Sequence, residues 1–350
     1  MIPSLAPKTR VHRGIVLDVS PDGFDKCAAC FGSIYFDLDE PKISYLFYTG
    51  ALDVDWSQAA IGLATSSDRF KFQKVGKNPI LGGTPGSFCQ QKALVPAVTR
   101  IKNRFYMVFS GSSVSKPSRR IGIAYADDLK GPWHIIGELI KPSFLWEGNA
   151  IDNGPSLVKL NDETILVYYS SVTSPKAYDV FALLRGYPIR RIGILKLRIR
   201  GTSLRSIEAL RFQGNPLKHF NGKKGSWNES LFCPGYIQVN NVCYLFPTAS
   251  TYSMGLLSKP FSDSIGMVTG SSPYFDKRAF TIERLIDGST EKSQILSLRK
   301  GEIGLDTPSP LVNWREKRLF LYYSVVDLAD QVWKTALTTF NLDNESKDDG

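Results

Sequence analysis

Five stretches of this chain repeat one pattern, and the pattern leaves few architectures open. Trp146 to Ser171 shows it in full: WEGNAIDNGPSLVKLNDETILVYYSS. A polar cluster with Glu147 and Asp152 turns at Asn153-Gly154-Pro155, and a short apolar run follows from Ser156 to Leu160. Asn161-Asp162-Glu163 make a polar turn, and Thr164 to Tyr169 is rich in β-branched and aromatic residues, as strands are. The copies are CFGSIYFDLDEPKISYLFYTG (30–50), VPAVTRIKNRFYMVFSG (95–111), CPGYIQVNNVCYLFPTAS (233–250) and TPSPLVNWREKRLFLYYSVV (307–326). Their second runs end near Tyr48, Phe109, Tyr169, Pro247 and Tyr323, at steps of 61, 60, 78 and 76 residues.

A third element follows in several copies: AIGLATSSD (60–68), RIGIAYADD (120–128), RIGILKLRI (191–199) and, more weakly, SMGLLSKPFSD (253–263). A fourth follows as FKFQKV (70–75), PWHIIG (132–137) and EALRFQ (208–213). Four short strands per unit, five units and no helical period predict an all-β chain, a five-bladed β-propeller with blades of four antiparallel strands. The blades fall at about 27–81, 89–140, 146–217, 227–285 and 303–341 of a single domain, 1–350. The fifth copy is one strand short, with Lys334 to Phe340 as its third. Arg13 to Val19 reads as a lone strand ahead of the first blade. It is expected to fill that missing edge and close the ring, removing the exposed edge of an open sheet.

No apolar run approaches the ~18–20 residues of a membrane-spanning helix. The opening MIPSLAPKTRVH lacks the apolar core of a signal peptide, so a cytoplasmic location is expected. The cysteines are Cys27, Cys30, Cys89, Cys233 and Cys243, an odd count that argues against a disulfide framework. Cys27-Ala-Ala-Cys30 has redox or zinc spacing, but no second pair completes a metal site and no βαβ context surrounds it. No metal or cofactor is expected.

The net charge of +10 is concentrated: residues 185–224 hold 11 basic side chains against Glu208, and the remainder balances. Within that segment Lys196, Arg198 and Arg200 alternate with Leu195, Leu197 and Ile199, the period of a half-buried strand with a basic outer face. Base-stacking aromatics are sparse there and no recognition motif appears, so nucleic acid is not the expected partner. A sheet edge blunted by cations, or a surface for an anion, fits the pattern.

In a propeller the inner strands line a central channel, and the residues just before them gather at one mouth. Those clusters read GFDKCAAC (23–30), CQQKAL (89–94), WEGNAIDN (146–153), GSWNESLF (225–232) and GLDT (304–307). Four of them carry acids: Asp25, Glu147 with Asp152, Glu229 and Asp306. Converging carboxylates suit glycosidic-bond hydrolysis, one protonating the leaving oxygen and another acting as base or nucleophile. Trp146 and Trp227 suit stacking on sugar faces, and Asn149, Asn153, Asn228 and Gln91 suit hydroxyl recognition. Against this stands the plainer possibility that an Asp before a turn caps its own backbone and a Trp at a blade start is core.

The pattern YLFYTG…IGLATSSDRFKFQKVGKNPIL (45–81) resembles the first blade of the arabinanase/β-xylosidase, invertase and levansucrase group, which includes glycoside hydrolase family 43. RFYMVFSG…RIGIAYADDLKGPW (104–133) repeats it, and AIDNGPSLVKLNDETILVYYSS (150–171) resembles the acid-bearing strand pair of that group. The resemblance implies a five-bladed propeller glycosidase using three acids: a base or nucleophile Asp from blade one, a supporting Asp from blade two and a general acid Glu from blade three. Asp25 matches the first, although it lies seven residues before Gly32. Gln90 and Gln91 stand where the blade-two Asp is implied. Asp152, three residues before Pro155, matches the third, with Glu147 as the alternate, and Glu229 has no firm counterpart.

The expectation is therefore a glycoside hydrolase acting on an oligosaccharide or glycoconjugate. Asp25 would be base or nucleophile, Asp152 or Glu229 the general acid and Asp306 a partner. A non-catalytic carbohydrate-binding propeller, favoured by Gln90 and Gln91, is one alternative. A phosphorylase or transferase acting on an anionic sugar is the other.

Overall fold

The computed structural model describes residues 7–37, 39–76, 79–171, 189–223, 226–250, 264–276, 280–281, 294–297 and 302–342. These form strands and three single-turn 3-10 helices, and no helix among them is long and apolar enough to cross a membrane. The strands fall into successive antiparallel groups. The first holds β2 (Ala28–Phe36), β3 (Ser44–Ala51), β4 (Ala59–Ser66) and β5 (Gln73–Lys74). The second holds β6 (Lys92–Ile101), β7 (Arg104–Ser113), β8 (Lys116–Ala126) and β9 (His134–Ile140). The third holds β10 (Ile151–Lys159), β11 (Thr164–Ser171), β12 (Ile192–Ile199) and β13 (Ile207–Arg211). In the fourth, β14 (Ser230–Val239) pairs with β15 (Val242–Ser250). β15 in turn pairs with β16 (Ser264–Gly266) and β17 (Val268–Gly270), and these carry β19 (Gln294–Ser297) and β18 (Phe280–Thr281). The last holds β20 (Glu302–Asn313), β21 (Arg318–Asp327) and β22 (Trp333–Leu342).

β1 (Pro7–Leu17) pairs antiparallel with β22, Arg10 facing Phe340 and Leu17 facing Thr335. The N-terminal strand thus lies beside the last one, although it begins upstream of Arg13. The element expected at 253–263 lies outside the described residues. FKFQKV yields only the two-residue β5, because the Asp68 carboxylate ties down the N–H groups of Phe70 and Lys71 in a turn. Phe70 and Phe72 then leave the ladder to pack on Phe320 and Tyr322.

Apolar layers fill the spaces between groups. Phe47 and Leu63 meet Met107 and Phe109; Val108 and Ile123 meet Val167 and Leu195. Tyr168 and Ile194 meet Leu245 and Phe275; Phe246 and Ile265 meet Leu321 and Ala336. Leu337 and Tyr322 then meet Leu46 and Tyr48, bringing the last group against the first. With both faces covered, β3 and β11 are buried at every position, which is why they read as nearly continuous apolar runs rather than alternating ones.

The first strand of each group carries a bulge at a corresponding place: between Cys30 and Ser33, Leu94 and Ala97, Asn153 and Leu157, Phe232 and Gly235, and Asp306 and Ser309. A bulge frees a backbone N–H from the ladder. Each freed donor is taken by a hydroxyl from the second strand of the preceding group. Val95 N–H donates to Thr49 Oγ1 (2.9 Å), Asn153 N–H to Ser110 Oγ (3.2 Å) and Cys233 N–H to Ser170 Oγ (3.2 Å). Thr307 N–H donates to Thr248 Oγ1 (3.1 Å) and Phe31 N–H to Ser324 Oγ (2.7 Å). The Ser/Thr that follows Tyr48, Phe109, Tyr169, Pro247 and Tyr323 is therefore a clamp between neighbouring groups.

Candidate functional site

The bulges and clamps give a register for comparing the repeats. One residue of each first strand, at or next to the last position before the bulge, pairs with a clamp hydroxyl residue: Cys30 with Thr49, Leu94 with Ser110, Asp152 with Ser170, Phe232 with Thr248 and Asp306 with Ser324. The first strands touch one another in the order β2, β6, β10, β14, β20 and back to β2, so these side chains converge. Two of them are acids.

Asp25 and Glu147 stand elsewhere. Asp25 precedes Cys30 by five residues, as Glu147 precedes Asp152 and Cys89 precedes Leu94. In this earlier position the side chain is turned toward the second and fourth strands of its own group. Asp25, 1% exposed, accepts a hydrogen bond from Tyr48 Oη (2.9 Å) and pairs with Lys74 Nζ at 2.7 Å. Glu147, fully buried, accepts from Tyr169 Oη (2.7 Å) and Arg211 Nε (2.8 Å) on Oε1. Its Oε2 accepts from the N–H groups of Ser143 (2.7 Å) and Phe144 (3.1 Å) and from Arg211 Nη2 (3.3 Å). Burial, and then the adjacent carboxylate, push both tyrosine hydroxyls far above their ordinary pKa.

The aromatic one residue upstream stacks on the same second strand: Phe24 on Tyr48, Phe88 on Phe109 and Trp146 on Tyr169. The recurrent Ile-Gly of the third strand makes the room. A Cβ on Gly122 would come within 2.0 Å of Phe88 Cζ, and one on Gly193 within 2.5 Å of Trp146 Cη2. Trp146 is a packing residue, and Trp227 likewise packs against the layer between the third and fourth groups.

The convergent acids have a different setting. Asp152, 5% exposed, pairs through Oδ2 with Arg119 Nη2 at 3.2 Å, while its Oδ1 is buried with no hydrogen-bond partner. Asp306 is half-buried, and Oδ1 accepts from Thr307 N–H (2.6 Å), Thr307 Oγ1 (3.1 Å) and Thr248 Oγ1 (3.1 Å). Its surroundings are dense enough that burial raises its carboxyl above the ordinary range, opposed by Arg190 and these hydrogen bonds. Burial also raises the Cys233 thiol, with Asp306 and then Asp152 adding to it and Arg190 opposing. Cys30 is raised by burial and by Asp306. Asp152, Asp306, Arg190, Cys30 and Cys233 therefore share one electrostatic neighbourhood.

The other sequence candidates divide. Asn153 is fully buried and structural: Nδ2 donates to Val95 O (2.7 Å) and Gly154 O (3.0 Å), and Oδ1 accepts from Ser110 Oγ (2.9 Å). Asn228 Nδ2 donates to Phe220 O (3.0 Å). Asn149 is exposed, its carbonyl bonded by Ser118 Oγ. Gln91 is half-buried and uses its backbone to join Ala59 N–H (3.0 Å) and Ser112 O (3.0 Å) across strands. Gln90 is exposed and accepts from Gly86 N–H. Glu229 is buried, three residues before Phe232 and so out of register with the acids of the other repeats.

Sequence reasoning missed an aromatic group at this end. Phe31, at φ +47°, stacks on Trp56 with centroids 5.2 Å apart and meets Trp333 at 5.1 Å. This group packs against Cys30, Leu94 and Val95. Single parallel pairs, Ala28 with Trp333 and Ala59 with Lys92, bring the starts of β22 and β4 to the same end. Phe31 follows the convergent Cys30 directly, which is the signal that could have found it. Lys196, Arg198 and Arg200 lie exposed on or just beyond β12, Arg198 3.9 Å from Glu163. Among the described residues no three His, Cys, Asp or Glu side chains gather as a metal site.

No protein-family model and no curated protein matches the sequence. Solved structures do match in fold. The native arabinanase of Bacillus subtilis matches at TM-score 0.58 and 14% identity, over 94% of this chain and 96% of that one. A family 117 glycoside hydrolase from the marine bacterium Zobellia galactanivorans matches at 0.60 and 13%, over 98% and 93%. A family 43 endo-arabinanase from Bacillus licheniformis matches at 0.54 and 17%, over 90% and 95%. The chain shares the all-β propeller fold of these glycoside hydrolases.

Proposed function

We propose that the chain is one five-bladed propeller, closed by β1, that binds a saccharide at the mouth where its first strands converge and cleaves a glycosidic bond there. The cyclic contacts of β2, β6, β10, β14 and β20 support the ring, as do the five hydroxyl clamps. Five free thiols, four of them buried, suit a reducing compartment such as the cytoplasm.

One observation carries the catalytic part: two converging carboxylates sit in opposed environments. Burial favours the neutral form of Asp306, so it is the group to protonate the leaving oxygen. Asp152 is ion-paired with Arg119 through Oδ2 and keeps Oδ1 unbonded, so it is the group to activate water or attack the anomeric carbon. Glu147 has both oxygens, and Asp25 its Oδ2, engaged by a fixed cation and a tyrosine, and neither takes a chemical part. Phe31, Trp56 and Trp333 supply the surface on which a sugar ring stacks.

A binding-only propeller is the second reading, and Cys30, Leu94 and Phe232 at the other convergent positions favour it. A panel of aryl glycosides and natural oligosaccharides separates the two. Turnover that disappears in Asp306→Asn and Asp152→Asn supports catalysis. Sugar binding without turnover by the wild type rejects it.

A further inference from the structure

The mouth is two-sided. Around β2 and β6 it presents Cys30, Leu94 and Val95 with the Phe31, Trp56 and Trp333 rings. Around β10, β14 and β20 it is charged, by Asp152, Asp306 and Arg190.

Arg190 is the telling residue. Its N–H donates to Ser230 Oγ at 2.7 Å, and its carbonyl accepts from Leu231 N–H and Asn221 Nδ2, each at 3.1 Å. The guanidinium lies 4.2 Å from the centroid of Phe232, one of the convergent side chains. Pinned at the backbone and flat on a ring, the group is pre-organised, and its Nε is buried with no hydrogen-bond partner. No ion pair to Arg190 occurs among the described residues, although its charge reaches Asp306. A stacked, weakly hydrated guanidinium with unused donors is the standard protein device for a planar or tetrahedral oxyanion.

Two more cations stand on the neighbouring side. Lys92 starts β6 opposite Ser112, and Arg119 lies on β8, which pairs with the strand that carries Ser112. Burial and the repulsion of Arg119 both disfavour the charged form of Lys92, with Asp55 and Asp53 opposing. Like charges held together in this way are relieved by an incoming anion.

We propose that the saccharide bound at this mouth is anionic, carrying a carboxylate, sulfate or phosphate that Arg190 grips with its forked donors while the uncharged ring face lies on the aromatic side. Lys92 and Arg119 strengthen the field without contacting the anion directly. This inference rests on the carbohydrate reading above and narrows its substrate class.

Matched oligosaccharides test it: one ending in a uronic acid, its carboxyl-reduced neutral counterpart, and the sulfated and phosphorylated forms of that neutral sugar, titrated calorimetrically into the full chain. At least one charged form should bind about tenfold or more tighter than the neutral sugar, the scale of a charge-assisted contact, and the best form identifies the anion. Arg190→Gln should bring that ratio near one and Arg190→Lys should restore part of it, with unchanged thermal midpoints certifying both folds. Should Arg190→Gln not fold, the salt dependence of the wild-type ratio decides, since a charge-borne preference shrinks as salt rises. Equal binding of neutral and charged sugars overturns the inference and leaves the carbohydrate reading intact. Arg190-dependent binding of inorganic sulfate or phosphate, with no saccharide bound, overturns the carbohydrate reading and keeps the anion site. A charged preference that survives Arg190→Gln assigns the anion elsewhere and overturns the role of Arg190.

Discussion

Four acids of the first, third and last groups form two tiers, and the tiers differ in how their oxygens are engaged. Asp25 and Glu147, five residues ahead of the clamp-paired residue, are enclosed by a fixed cation and a tyrosine each. Asp152 and Asp306, paired with the clamp residues Ser170 and Ser324, are each held through one oxygen: Asp152 has an unbonded Oδ1, and the three hydrogen bonds to Asp306 all reach Oδ1. Both tiers look alike in sequence, as acids before a strand. Position relative to the clamp-paired residue separates the acids held by the second and fourth strands of their own group from those on the convergent strands.

The largest contrast should come from carboxamide variants. Asp306→Asn and Asp152→Asn are expected to lower turnover by ~10²–10⁴-fold in the protein that remains folded, the usual weight of a general acid or base, with no loss of thermal midpoint for Asp306→Asn and a loss for Asp152→Asn that reflects its Arg119 pair. Glu147→Gln and Asp25→Asn should lose stability and keep their turnover. Removing one partner of a buried ion pair costs about 3–5 kcal/mol, so denaturant midpoints should fall steeply while the protein that remains folded keeps its kcat. A kcat loss in Glu147→Gln without loss of stability would merge the tiers.

A second contrast is in pH. The raised carboxyl of Asp306 makes the native state hold a proton that the unfolded chain releases near the ordinary Asp value of about 3.9. Native stability contributed by this group is therefore complete below that value and declines as pH rises through the folded pKa. Asp306→Asn, which keeps the Oδ1 acceptor, should gain on wild type in thermal midpoint as pH is raised from ~4 toward neutrality. A difference that is flat with pH contradicts the assignment.

Smaller effects belong to the clamps. Ser110→Ala strands the buried Asn153 N–H and should cost about 1–3 kcal/mol in chemical denaturation. The smallest belongs to the basic strand: replacing Lys196, Arg198 and Arg200 with Gln should leave turnover of a neutral glycoside unchanged and stability within about 0.5 kcal/mol, as for exposed positions away from special features.

The repeat was legible because second strands buried on both faces spell long apolar runs, and because Ile-Gly must recur wherever an upstream aromatic packs on the third strand. The partnering of β1 with the last group could be read from a missing strand. The tier of an acid could not be read, since it depends on the register of a bulged strand that polar composition does not announce. Anchoring on Thr49, Ser110, Ser170, Thr248 and Ser324 and following the pairing to the first strand would have singled out Cys30, Leu94, Asp152, Phe232 and Asp306, and would have set Asp25 aside. The Phe31, Trp56 and Trp333 group was hidden for another reason: its members come from three separate places in the chain and meet only when β2, β4 and β22 share an end.

A crystal structure of the Asp306→Asn chain soaked with a bound oligosaccharide tests the division of the tiers most directly. The account predicts a sugar ring on the Phe31, Trp56 and Trp333 rings, with its glycosidic oxygen within ~3 Å of the residue-306 side chain and Asp152 facing the anomeric carbon. A saccharide seated against Asp25 or Glu147, or on an outer blade face away from both convergent acids, would contradict it.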